Sequence, residues 1–150
     1  SSYDKNDAAR AALMGVLNRT AAALVKHQDP QTGLWYQLMD KPDAPENYIE
    51  SSSVLMFVYA LAKGARLGYL PREDGVAAER AWTAIQKRFV KTAADGSITL
   101  TGTVTGIAMG AAPANDGSDG YYLHAPVVSD DPKGIGPFLM AAAEMESGRR

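Results

Sequence analysis

The sequence predicts an all-α chain of α/α hairpins with one short β piece. Two observations carry that expectation. Several long stretches repeat apolar residues at intervals of three and four, the spacing of one side of a helix. A unit of roughly 65 residues also recurs: an amphipathic helix, a Gly turn with a short extended piece, a polar loop and a more apolar helix. Asp29…Gly33-Leu34-Trp35 corresponds to Asp95-Gly96-Ser97-Ile98, and the helix beginning at Glu50 to the one near Gly134. Units of outer and inner helix suggest an α/α toroid, where each hairpin buries its flank on a neighbour. An ordinary four-helix domain with two long loops would show the same spacing.

Ser1–Lys5 reads as a frayed lead-in. From about Asp7 to His27, Ala11, Leu13, Met14, Val16, Leu17, Ala21, Leu24 and Val25 form an apolar stripe, with Arg10, Asn18, Arg19 and Lys26 toward water. Gln28-Asp29-Pro30-Gln31-Thr32-Gly33 stops that helix, and Leu34–Leu38 reads as a short extended piece. After a loop holding Pro42 and Pro45, a second helix starts in Glu50-Ser51-Ser52-Ser53. Serine suits that position because its oxygen accepts N–H groups left unpaired at a helix start. Val54, Leu55, Phe57, Val58, Leu61 and Ala62 make this helix apolar on nearly every face, so it is expected to be buried almost all round. Its polar mouth is the first place to look for a site.

Gly64, Gly68 and Leu70-Pro71 end the second helix. A third is expected over about Arg72–Lys91, with Val76, Ala77, Ala81, Trp82, Ile85 and Phe89 inward and Lys87, Arg88 and Lys91 complementing its dipole. Asp95-Gly96 turns into a strand at Ser97–Thr101, and a long Gly-, Ala- and Asn-rich loop continues through Tyr121-Tyr122. The last helix starts near Lys133–Gly136 after Asp130-Asp131-Pro132 and carries Ile135, Phe138, Leu139, Met140 and Met145. Two hairpins leave lateral apolar faces bare, since repeat arrays usually need about three or more units. The chain is therefore expected to be part of a larger protein or to self-associate, and the first reading is preferred.

The 15 Lys and Arg against 17 Asp and Glu give a net charge of −2, with no basic footprint for nucleic acid or an anionic membrane. The absence of cysteine removes disulfides and thiolate chemistry. No run is long and apolar enough to span a bilayer, and nothing resembles a signal peptide. A cytoplasmic site fits that absence, and export fits equally if a signal was removed.

Gly33-Leu34-Trp35, Tyr48-Ile49-Glu50-Ser51-Ser52 and Tyr59-Ala60-Leu61-Ala62-Lys63-Gly64-Ala65-Arg66-Leu67-Gly68-Tyr69-Leu70 resemble the unsaturated glycuronyl hydrolases. More narrowly, they resemble the unsaturated rhamnogalacturonyl hydrolases, glycoside hydrolase family 105 of the wider 88/105 group. Asp95-Gly96, Thr101-Gly102-Thr103, Gly120-Tyr121-Tyr122 and Asp130…Lys133-Gly134-Ile135-Gly136-Pro137-Phe138-Leu139…Glu144 keep the family's order. The resemblance implies the C-terminal part of an (α/α)6 barrel that removes a Δ4,5-unsaturated uronic acid from pectin-derived oligosaccharides. It also implies an aspartate that hydrates the enol-ether double bond, unlike the two-carboxylate displacement of most glycosidases. That aspartate, with the nearby His and Arg-Gly-Asn-Gly-Trp pieces, belongs to the family's N-terminal part. None of those motifs is present here, so the catalytic residue is left unknown.

In such a toroid the 28–49 and 102–133 loops form part of a pocket rim. Glu50, Ser51 and Ser52 are candidate substrate contacts, since a helix start presents N–H groups, hydroxyls and a positive dipole end to a sugar hydroxyl or uronate. The alternative is that Ser51 caps the helix and Glu50 holds the loop. Trp35 could stack on a sugar ring or wedge the loop against the second helix. Tyr121 and Tyr122 could reach the pocket or anchor the loop. Trp82 reads as core. Asp130-Asp131 before a proline reads as a cap, and Glu144 and Glu146 do not face each other. His27 reads as a charge at a helix C-terminus. His27 and His124 lie far apart without cysteine, so no metal is expected. Gly102…Gly106…Gly110 lacks the Lys-Ser/Thr ending of a phosphate loop. The expected cofactor is none. The expected partners are an oligosaccharide and either the barrel's remaining N-terminal part or a second copy. The competing class is a non-catalytic carbohydrate-binding or assembly piece.

Overall fold

Asp7 starts the first helix by accepting the Ala9 N–H at 2.8 Å, and α1 then runs Ala8–His27. The computed structural model describes residues 4, 6–107 and 116–148. Apart from Asp4, the lead-in Ser1–Lys5 lies outside them, as does the middle of the Gly-rich loop with Gly110. Of the stripe expected to face inward on α1, only Ala21 and Leu24 are buried; Leu13, Val16 and Val25 are exposed. Periodicity marks an apolar stripe but not whether this chain supplies anything to cover it.

The turn after α1 is built on Asp29, whose carboxylate accepts both the N–H and the hydroxyl of Thr32 at 2.6 Å. Leu34–Leu38 makes a single antiparallel bridge, Tyr36 to Ile49. The second helix, α2, covers Ser51–Arg66 and buries Val54, Leu55, Val58 and Leu61. Met56 is exposed and Phe57 only partly buried, so one side is open where burial all round was expected.

Helix α3 covers Arg72–Phe89 and buries Ala77, Ala81, Trp82, Ile85 and Phe89, but Val76 is exposed. It stops short of Lys91 because Val90–Thr92 leaves as a strand, β1. That strand pairs antiparallel with β2, Ile98–Leu100, in the register Val90↔Leu100 and Thr92↔Ile98. The Asp95-Gly96 turn and β-branched residues favour this hairpin over another helical turn. Gly102 follows with φ +82°, and a Cβ there would meet Phe89 at 2.3 Å, so close packing and backbone both require glycine.

The long loop carries structure of its own. Strand β3, Thr103–Val104, leads to a short helix α4, Asp119–Leu123, and a strand β4, Val127–Val128, that pairs back on β3 antiparallel. The last helix, α5, covers Pro132–Ser147 and begins where Asp131 accepts the Lys133 N–H. Ile135, Phe138 and Met145 pack on the core, whereas Leu139 and Met140 are exposed. Helix α2 is central, with α3 and α5 against it, and α1 touches α3 lightly. Trp82 meets Phe138 at 5.6 Å between ring centres, joining α3 to α5 in the core. The tightest helix pairs are α2 with α3 and α2 with α5.

Candidate functional site

Glu50 is the residue around which the polar mouth of α2 is assembled. Its backbone is still extended, so its side chain folds over the first helical turn as the N-cap. Oε2 accepts the Ser53 N–H at 2.7 Å, Oε1 accepts the Val104 N–H at 3.0 Å, and the Ser52 hydroxyl donates to both oxygens. Glu50 is 1 % exposed, which a carboxylate tolerates because these donors and the helix dipole replace water. Cap and strand anchor are thus combined in Glu50, where the sequence reading gave the cap to Ser51.

Ser51 belongs to the same junction. Its N–H donates to the Gly102 carbonyl at 2.9 Å, and its hydroxyl shares a 2.9 Å hydrogen bond with Thr103. Lys133 reaches from α5 to donate to the Val104 carbonyl. Strand β3 is therefore stitched between the N-terminal ends of α2 and α5. At the far ends of the same helices, Arg66 forks onto the buried Glu144 carboxylate at 2.5 and 3.0 Å. The two inner helices consequently lie side by side and parallel.

The acids before α5 are structural in their contacts. Asp131 caps the helix. Asp130 takes φ 55°, and its carboxylate and N–H exchange bonds at 2.8 Å with the backbone of Leu100, so it ties the helix start to β2 instead of capping. Trp35 is 1 % exposed; its N–H donates to the Leu24 carbonyl at 2.7 Å and its ring meets Phe57 edge-on at 5.4 Å. The loop, α1 and α2 are wedged together at that point.

A concavity of about 600 Å³ opens beside this mouth, lined by His27, Tyr36, Gln37, Asp40, Ser53 and Tyr122 among others. Tyr122 is 37 % exposed and is the one of the six candidate contacts that lines it. Tyr121 sits in α4 with its N–H on the Ser118 hydroxyl. An exposed ion pair, Lys41 with Asp119 at 2.5 Å, and an exposed contact of the His124 Nε2 with the Glu46 carboxylate at 3.2 Å bring the 28–49 loop to α4. Exposed pairs of this sort are screened by water and salt, so they orient the rim more than they stabilise it.

Tyr48 stands in the motif at the α2 start, and the sequence reading did not single it out. Its hydroxyl is buried and has no hydrogen-bond partner among the described residues. Burial pushes its pKa up, helped by the Glu50 charge and by Tyr122, so the phenol stays protonated. Only a tertiary contact map could have distinguished it from the other tyrosines. A larger cavity, about 930 Å³, lies at the other end of α2 and includes Arg66, Trp82 and Glu144. An arginine there would suit a uronate, but its fork is already occupied by Glu144. Among the described residues no cluster of three or more His, Cys, Asp or Glu could hold a metal, and no helix is long and apolar enough to cross a membrane.

Paired outer and inner helices, with the inner N-termini drawn together under two rim loops, define a segment of an α/α toroid. The chain belongs to Glycosyl Hydrolase Family 88, whose family model matches residues 2–148. Two curated relatives, Protein Atu3128 of Agrobacterium fabrum and the 24.9 kDa protein in the picA locus of Rhizobium radiobacter, are 40 % identical over 145 residues. Those matches cover 93 % of this chain and 62 % of each relative. A solved Clostridium acetobutylicum glycoside hydrolase from family 105 is 41 % identical with a TM-score of 0.91, covering 96 % of this chain and 40 % of that one. A possible family 105 member from Salmonella enterica is 32 % identical with a TM-score of 0.81, covering 99 % of this chain and 35 % of its own. The chain thus spans under two thirds of these relatives.

Proposed function

We propose that this chain is the C-terminal portion of a glycoside hydrolase that releases Δ4,5-unsaturated uronic acid from pectin-derived rhamnogalacturonan oligosaccharides by hydrating the double bond. The family match over residues 2–148, with the close fold likeness to a family 105 glycoside hydrolase, carries this reading. The acid/base lies outside residues 1–150. Asp130, Asp131, Glu50 and Glu144 support that assignment, because each carboxylate already accepts protein N–H or O–H groups. Within the rim, Tyr122 supplies the direct sugar contact, and Trp35, Glu50, Ser51, Ser52 and Tyr121 shape the walls behind it. No cofactor takes part.

The test is the absorbance of an unsaturated rhamnogalacturonan disaccharide. The chain alone is expected to leave it unchanged, and the chain completed with the family's remaining helices to make it decay. In the completed enzyme, Tyr122→Ala is expected to raise KM about 3- to 10-fold, the worth of one aromatic contact. Decay by the chain alone that vanishes on replacing a single acid within it would place the acid/base inside and overturn that part of the reading. A completed, folded assembly without decay would leave the competing reading, a non-catalytic carbohydrate-binding piece.

A further inference from the structure

We propose that the Tyr48 hydroxyl is a recessed contact for a neutral sugar of the bound oligosaccharide, reached when Tyr122 moves aside. The inference rests on the sugar-binding part of the reading above and not on the double-bond chemistry. Among the described residues, the Tyr48 hydroxyl is the one buried side-chain polar atom with no hydrogen-bond partner. Folded proteins rarely leave such a group unpaired, because nothing then offsets its desolvation. Glu50, Ser51 and Ser52, which follow it in the same motif, bond one another, Thr103 and Val104. The tyrosine alone keeps its bonding capacity.

Its position points to the concavity at the mouth of α2. The Tyr36–Ile49 bridge sets Gln37 opposite Tyr48, and the Gln37 N–H donates to the Tyr48 carbonyl at 2.7 Å. Gln37, Ser53 and Tyr122 all line that concavity, and Tyr122 is close enough for its charge to act on the Tyr48 phenol. Tyr122 belongs to α4, a helix with no buried residue, tied to the 28–49 loop by the exposed contacts of Lys41 and His124. Displacing so short a helix sacrifices little buried surface and uncovers the hydroxyl without disturbing the core.

The surrounding charge selects the ligand. Burial, Glu50 and Tyr122 keep the phenol protonated, so it has a hydrogen bond to donate. Glu50 behind it and Asp40 on the concavity wall put negative charge on this side, and beyond His27 no described basic side chain lines the concavity to offset them. A uronate carboxylate is disfavoured there. A hydroxyl of a neutral sugar is the acceptor that fits, with Tyr36 and Phe57 giving apolar surface to its ring.

The experiment uses the chain completed with the family's remaining helices and the saturated rhamnogalacturonan disaccharide, which lacks the double bond and is not consumed. Calorimetric titration gives its Kd. Tyr48→Phe is expected to weaken binding about 3- to 10-fold, the worth of one hydrogen bond, with the melting temperature unchanged or higher. Tyr69→Phe, beyond the C-terminal end of α2, is expected to change neither. Equal Kd values for Tyr48→Phe and the unsubstituted protein overturn the proposal, as does no binding by the unsubstituted protein. A lower melting temperature for Tyr48→Phe also overturns it, because the hydroxyl then has a protein partner. Tetranitromethane, read by peptide mass mapping, is expected to nitrate Tyr48 only in Tyr122→Ala, and equal labelling with and without Tyr122 overturns its part as the cover. The absorbance assay reads the double-bond chemistry separately, so either result can fail while the other stands.

Discussion

Glu50 and Tyr48 stand two residues apart and represent opposite solutions to burying a polar group. The Glu50 carboxylate satisfies both oxygens from Ser52, Ser53 and Val104. Glu50→Gln removes the charge and turns one acceptor into a donor facing an N–H or hydroxyl. Hydrogen bonds to charged groups contribute about 1.5–3 kcal/mol, so a loss of about 2–3 kcal/mol is expected in urea unfolding. An unchanged midpoint would mean that the carboxylate does not hold the junction. Tyr48→Phe deletes a hydroxyl with no partner among the described residues. Removing an unpaired buried group relieves a desolvation cost, so stability should hold or rise by up to about 1 kcal/mol. A clear loss would reveal a partner for that hydroxyl in the folded protein.

At the scale of elements, the decisive contact is α2 with α5 across β3. Gly134 lets α5 approach: a Cβ there would lie 2.3 Å from the Thr103 hydroxyl and 3.2 Å from Leu100. Gly134→Ala should destabilise by about 1–3 kcal/mol through overpacking, more than the roughly 1 kcal/mol that alanine adds to helix propensity. Gly136, on the same helix, has open space where its Cβ would go. Gly136→Ala gains helix propensity but places a Cβ before Pro137, which disfavours a helical residue there, so its thermal melt should move less than that of Gly134→Ala. Both glycines appear in one sequence motif, which does not show that Gly134 alone meets side chains from elsewhere in the chain. The separation comes from Thr103, some thirty residues earlier in the chain, whose position beside Gly134 depends on the Ser51 hydroxyl and the Glu50–Val104 bond.

At the scale of the molecule, two hairpins share one core but leave apolar faces open on α1 and α5. A partner that binds only the folded chain stabilises it by mass action, about 2.7 kcal/mol at a hundred times Kd. The complementary helices should accordingly raise the melting temperature of this chain with concentration, and the Leu139→Glu, Met140→Glu pair should abolish that rise. A melting temperature independent of the added helices would argue against completion of a toroid.

Local signals were enough for the α-hairpin architecture and most helix limits. Asp7, Gly33 and Asp131 mark boundaries through their own backbone bonding and conformational preferences, which depend on near neighbours. The apolar stripes were legible for the same reason, since side-chain spacing along one helix is a local property. Which stripe is covered was not legible: Val76, Leu139 and Met140 satisfy the pattern as well as Ala77 and Phe138 do, yet only packing against another element removes a side chain from water. The polar mouth of α2 was legible as a set of hydroxyls and a carboxylate, but not the use made of them. Tertiary structure decided that Glu50 binds Val104, that Trp35 turns its N–H to Leu24, and that Tyr122 remains at the rim. Those choices join residues far apart in the chain, where hydrogen-bond geometry and excluded volume act only after the helices have been brought together.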